Sequence, residues 1–209
     1  AVPQSSIRRA IRRTSERYVE GRVSERPAQG ESELREAICE ITRGYGIRAT
    51  PKHTLIVSSS HQAFRIIGSC IIDHDDYVAI ESPSDPIVMG TFENLDARCV
   101  PVEIDADGVV IERARAAIER YKPKAFVTCS SGQIPTGVTT SATRREQLYQ
   151  LCKQAKCLLI EYDNGNEVWY EAPPPRPIMS LDDNGTVVYV REFGRESAAG
   201  IRISCVQAN

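Results

Sequence analysis

No apolar run in this sequence approaches the roughly twenty residues a membrane-spanning helix needs, and no signal-peptide pattern opens it. The expectation is a cytoplasmic chain with no membrane partner. A dominant charge is also missing. Lys and Arg number 26 against 28 Asp and Glu, for a formal net charge of -2, which leaves no bulk positive field for nucleic acid. Arg8, Arg9, Arg12 and Arg13 form a basic patch, but glutamates soon follow it. No direct nucleic-acid contact is expected. The seven cysteines include no close CxxC pair and read as mostly buried thiols in a reducing compartment. Cys152 and Cys157 lack zinc-ligating partners, and His53, His61 and His74 lack ligand spacing, so no metal is expected. There is no glycine-rich nucleotide loop and no assembled Ser-His-Asp order. Lysine is scarce. Its five positions are Lys52, Lys122, Lys124, Lys153 and Lys156, and none falls in Val187–Arg202.

What is present is an ordinary globular composition, 41% hydrophobic and 26% charged, over a length that supports one large domain. Residues 5–18 are weakly amphipathic, with Ile7, Ala10 and Ile11 on one side, and suggest a short helix. Residues 21–32 contain Pro27 and Gly30 and read as a loop. Leu34, Ala37, Ile38 and Ile41 then recur at helical spacing and predict a core-facing helix ended by Gly44 and Gly46. Strands are predicted at 54–58, 77–81, 98–104, 125–129, 157–161, 187–190 and 201–206. Helices are predicted at 62–72, 87–95, 111–121 and 141–155, with a turn at 105–108. Strands alternating with helices argue for a mostly parallel sheet covered on both faces. The loop 191–200 is too short for a helical crossover, so the last strand is expected to run antiparallel or to enter elsewhere in the sheet. Residues 171–186 carry four prolines and read as an irregular surface excursion.

Several strand ends hold candidate site residues. Ser58–His61 joins a strand to a helix, where backbone amides attract anions, although serine there also serves as a plain helix cap. Gln133–Gly137 is a turn whose Thr136 hydroxyl has either a ligand or the turn itself to serve. Glu161 and Asp163 end a central strand, placed for ligand contact, for capping or for pairing with an arginine. Arg195 and Arg202 have the guanidinium fork suited to phosphate or carboxylate, with Glu192 and Glu196 as alternative partners for Arg195.

Six segments taken in order carry a resemblance. They are GESELREAICEITRGYGI, LIVSSSHQAFRII, YVAIESPSDP, FVTCSSGQIPTG, CLLIEYDNGNEVWY and VVYVREFGRESAAGIRIS. Together they resemble the large domain of the fold-type I pyridoxal-phosphate aminotransferases, above all the aminotransferase-like domain of GntR-type regulators of the MocR class. The resemblance implies a three-layer α/β/α fold with a mostly parallel seven-stranded sheet, lacking the small C-terminal domain. It divides the chain into an N-terminal arm, 1–27, and the large domain, 28–209, and it implies a homodimer.

The resemblance also implies a cofactor pocket, and this chain departs from it. Ser59, Ser60 and His61 keep the place of the small-residue phosphate turn, and Arg202 keeps that of a phosphate-binding arginine. The ring-stacking aromatic falls at Asp85. The aspartate that pairs with the ring nitrogen falls at Tyr162, with Asp163 one residue on and therefore on the other face of a strand. The phenolic-oxygen tyrosine falls at Asn164 or Gly165. The family's SFSK, whose lysine forms the covalent bond to the cofactor, matches Glu192–Phe193–Gly194–Arg195, and a permanently protonated arginine cannot act as the amine nucleophile. Ser59, Ser60, His61 and Arg202 thus define a residual anion site, and Tyr162, Asp163 and Arg195 a degenerate pocket. The expected function is a noncatalytic regulatory, ligand-sensing or protein-interaction domain. No cofactor is expected, and any small anionic ligand, pyridoxal phosphate included, would bind noncovalently. The alternative is a pyridoxal-phosphate-dependent aminotransferase acting on amino acids or related amines.

Overall fold

A computed structural model describes residues 4–19, 27–164, 173, 175–193 and 202–208. Its sheet is built from β1 (Thr54–Val57), β2 (Tyr77–Ser82), β3 (Arg98–Asp105), β4 (Gly108–Val109), β5 (Ala125–Ser131), β6 (Leu158–Asp163), β7 (Val187–Phe193) and β8 (Ile203–Ala208). The spatial order is β1-β8-β7-β6-β5-β2-β3-β4. The central strands β7, β6, β5, β2 and β3 pair in parallel, and β8 runs antiparallel to both β7 and β1. The expected reversal of the last strand is therefore observed, although that strand starts at Ile203 rather than Ile201.

The sheet has eight strands, not the expected seven. The turn read at 105–108 closes a hairpin whose return arm, β4, pairs Ile104 with Val109 and Asp105 with Gly108. Gly108 has φ +98°, and a Cβ there would come within 2.6 Å of Thr140 Cα, so both conformation and space require glycine.

Helices α1 (Gln4–Val19), α2 (Ser32–Arg43), α3 (Ser60–Ile71), α4 (Pro86–Glu93), α5 (Ile111–Tyr121) and α6 (Ala142–Ala155) accompany the sheet. Alternation along each strand divides the core into two slabs. On one face Val78, Ile80, Val127, Ile160 and Val190 meet Ala63, Phe64 and Ile67 of α3 and Val88 and Phe92 of α4. On the other, Ala79, Phe126, Leu159, Val187 and Tyr189 meet α5 through Ala114 and Ile118, and α6 through Leu148 and Cys152. The result is the three-layer α/β/α sandwich.

Two local expectations are corrected. In α2 the buried residues are Ile38, Cys39 and Thr42, while Ile41 is 46% exposed, so the inward face is turned from the one the apolar spacing suggests. Thr42 tolerates burial because its hydroxyl donates to the Ile38 carbonyl at 3.0 Å. The proline-rich 171–186 stretch is not wholly a surface excursion. Its described part holds a 3-10 turn, Ile178–Leu181, in which Ile178 and Met179 are buried. The prolines stop short of two apolar side chains that the core takes in.

Candidate functional site at the carboxyl ends of the strands

In open α/β sheets, ligands sit beyond the carboxyl ends of the strands, where the chain reverses its winding direction. Here β2 is flanked by β3 on one side and β5 on the other, which puts that point between β2 and β5. Glu81 of β2, Asp85, Cys129 of β5, Gln133 and Tyr162 of β6 border a crevice there, and its free volume is about 10 Å³. That is about one water, against about 300–1,000 Å³ for a small-molecule pocket.

The start of α3 borders the same face. Ser59 is the N-cap, its hydroxyl accepting from Gln62 N at 3.2 Å, while the Gln62 carbonyl oxygen receives Ser58 N (2.7 Å) and Ser58 Oγ (2.9 Å). This reciprocal arrangement closes the helix start, so Ser59 performs the capping role. Ser60 does something else. Its buried hydroxyl donates to Glu192 Oε2 on β7 at 3.1 Å, and the Tyr162 hydroxyl donates to the same oxygen at 3.3 Å. The Tyr162 ring is held edge-on to Phe64 of α3, 5.3 Å between centroids. A carboxylate of the chain itself thus lies at the amino end of a twelve-residue helix, where partial positive charge favours an anion.

His61 is not part of this corner. It is exposed, and its Nδ1 contacts Thr91 Oγ1 on α4 at 2.9 Å. Arg202 is exposed, one residue before β8. Arg195 lies outside the described residues, as does Gly165.

Asp163 faces away from α3. It accepts a short hydrogen bond from the Tyr189 hydroxyl and pairs with Arg191 at 3.2 Å. Arg191 is fully buried, its guanidinium 4.8 Å from the Tyr45 ring and 5.0 Å from the Phe193 ring. The same face holds Glu161, bonded by Ser130 Oγ (2.5 Å) and by the backbone amides of Ile178 and Met179 (2.8 Å each), with Arg145 3.9 Å away. Burial raises the Glu161 carboxyl above its ordinary pKa, and Arg145 opposes that rise. Among the alternatives, Asp163 pairs with an arginine, while Glu161 caps the amides that open the Ile178–Leu181 turn, with Arg145 beside it.

Around the crevice, Asp85 caps α4 by accepting from Ile87 N at 2.9 Å. The Thr136 hydroxyl turns back onto Gln133 Oε1 at 2.5 Å, and Gln133 donates to the Pro83 carbonyl at 2.6 Å, so that loop is held by its own turn. Glu81 accepts from Thr128 Oγ1 and from Cys129 N (3.0 Å), and burial raises its pKa. Burial also pushes the Cys129 thiol far up, which keeps it protonated and a poor nucleophile. The sequence reading missed Glu192 as the centre of the corner. The signal was available, since Val188 and Val190 face α3 and Glu192 continues their alternation.

The profile of the family "Aminotransferase class I and II" matches residues 5–161. The chain belongs to that family. Among relatives, the uncharacterized HTH-type transcriptional regulator YisV of Bacillus subtilis is 29% identical over 175 residues, covering 84% of this chain and 36% of the relative. Aromatic-amino-acid aminotransferase 1 of Thermococcus litoralis is 27% identical over 186 residues, covering 86% of this chain and 45% of the enzyme. The crystal structure of Pyrococcus horikoshii kynurenine aminotransferase, in complex with PMP, superimposes with a TM-score of 0.90 at 26% identity, over 99% of this chain and 52% of that one. The chain thus spans about half or less of the length of these family members.

Proposed function

We propose that this is a noncatalytic aminotransferase-fold domain, working as a regulatory, ligand-sensing or protein-interaction module within a homodimer. The observation that carries the reading is the Glu192 carboxylate on Ser60 at the start of α3. The family's cofactor is a phosphate ester, and a second anion at that corner opposes its phosphate. The ring region fits no better. Tyr162 stands where the resemblance expects an aspartate and Asp85 where it expects an aromatic, and both border a void of about 10 Å³. The sequence register that puts Glu192 at the first position of SFSK puts Arg195 at its lysine. The described residues therefore do not fit pyridoxal phosphate. The regulator among the relatives is in keeping with a domain kept for something other than turnover.

A second reading is a pyridoxal-phosphate-dependent aminotransferase acting on amino acids or related amines. The family match, the enzyme from Thermococcus litoralis and the likeness to a PMP-bound aminotransferase favour it. Mixing the protein with pyridoxal phosphate, recording its absorption spectrum and assaying an amino donor separates the two. The expected result is the spectrum of free cofactor and no turnover. A stable new band lost on changing one of the five lysines to alanine, with transfer of the amino group, would overturn the noncatalytic reading.

A further inference from the structure

The start of α3 is an anion site whose occupant is part of the chain. That the corner holds an anion does not rest on the helix end alone, because a carboxylate is seated in it with two hydroxyl donors, Ser60 Oγ at 3.1 Å and Tyr162 OH at 3.3 Å. A second feature points the same way. Ser204 pairs with Glu192 across β7 and β8, which puts both side chains on the α3 face, and its fully buried Oγ has no hydrogen-bond partner among the described residues. A buried hydroxyl in that condition has an unused donor and unused acceptor capacity.

We propose that Glu192 is a built-in plug and the specificity-determining residue of this corner: its carboxylate takes the place of an external phosphate, and removing its charge uncovers a phosphate site formed by Ser60, the start of α3, Tyr162 and Ser204. The plug is a substitution of charge within an otherwise intact anion cradle. Glu192 excludes phosphorylated small molecules by occupying the donors they need and by repelling them. A ligand sensed by the native domain must therefore either lack a phosphate at this corner or displace the strand end that carries Glu192. The inference deepens the noncatalytic reading and rests on it only in taking the native corner as closed to phosphate.

Inorganic phosphate is the probe. Its binding to the full chain is measured by calorimetry and by thermal shift, against chloride at matched ionic strength. Three proteins are compared: the native chain, Glu192→Ser and the shape-preserving Glu192→Gln. The expected result is no saturable phosphate binding by the native chain and a gain on the order of tenfold or more in the variants, with a midpoint temperature that climbs with phosphate. The gain is expected to vanish when Ser60→Ala is added to Glu192→Ser. Native protein that binds phosphate as tightly as the variants overturns the proposal. So do folded variants that gain nothing, and so does a gain that survives Ser60→Ala. The noncatalytic reading is judged separately by absorption and turnover of the native chain, so either can fail while the other stands.

Discussion

The two faces of the sheet at its carboxyl end are supplied by the same strands, yet they are different environments. β6 sends Glu161 and Asp163 to the α5–α6 side and Tyr162 to the α3 side, and β7 sends Arg191 to the first and Glu192 to the second. On the α5–α6 side each carboxylate meets an arginine that is itself almost wholly buried, Arg145 or Arg191. On the α3 side a half-buried carboxylate meets, among its described partners, two hydroxyls beside the amino end of a helix. Counter-charges at full burial make a fixed scaffold, because removing one member strands the other in a low dielectric. Hydroxyl donors at a half-buried site hold an anion without requiring one particular anion. On the proposed reading, the first face is structure and the second recognition.

The strongest way to break this contrast is to unpair the scaffold face. Arg145 is 1% exposed and donates to the carbonyls of Thr140 (2.8 Å) and Ser130 (2.5 Å) as well as lying beside Glu161. Arg145→Ala is expected to cost about 3–5 kcal/mol, read as a lower urea midpoint with an unchanged slope. Arg145→Met combined with Glu161→Gln is expected to recover part of it, since no charge is then left buried alone. Glu192→Gln on the other face is expected to cost less than about 1 kcal/mol, the size of an ordinary hydrogen-bond change. Equal costs on the two faces would dissolve the distinction.

This division was only partly legible in the sequence. The alternation of strands and helices and the two-sided sheet follow from apolar patterning, which the fold obeys almost throughout, and the reversal of β8 follows from a loop too short for a helical crossover. The one-residue slip that turns Asp163 away from Tyr162's face was also readable, because strand geometry fixes it. Arg145 was legible in principle. It stands three, four and seven residues before Leu148, Tyr149 and Cys152, which places it on the inward face of α6. A charged side chain there contradicts the usual reading of such a position, and only the fold reveals Glu161 and the carbonyls that accept it. The anion corner joins residues 132 positions apart, Ser60 and Glu192, and no local pattern encodes that contact. The resemblance placed an expected phosphate corner here, while the contact that fills it, Ser60 with Glu192, comes from the fold.

A smaller effect comes from acidity. Burial raises the carboxyls of both Glu81 and Glu161, but only Glu161 has an arginine as its leading counter-influence. A carboxyl whose pKa is raised by folding favours the native state most where it is protonated in both states, below its unfolded value. That contribution is lost as the pH climbs through the raised folded value. Glu81→Gln cannot ionise, so its stability relative to the native chain is expected to improve steadily from pH 4 towards pH 8. Urea midpoints across that range check the sign, and a gap independent of pH would mean that Glu81 is not strained by its charge.

The smallest expected effects separate cap from bystander at the start of α3. Ser59→Ala removes the acceptor for Gln62 N and is expected to cost about 1 kcal/mol. His61→Ala is expected to stay within about 0.5 kcal/mol, because an exposed imidazole surrenders one contact to Thr91, whose hydroxyl still donates to the Ile87 carbonyl at 2.6 Å. Three adjacent residues that the sequence presents as one phosphate turn would then have three separate duties: Ser59 ends the helix, Ser60 grips the anion and His61 braces α4. Neither Ser59→Ala nor His61→Ala should alter the phosphate affinity uncovered by Glu192→Ser by more than about twofold, since neither side chain touches Glu192. A loss in His61→Ala as large as that in Ser60→Ala would return the imidazole to the anion site and redraw the boundary between the two faces.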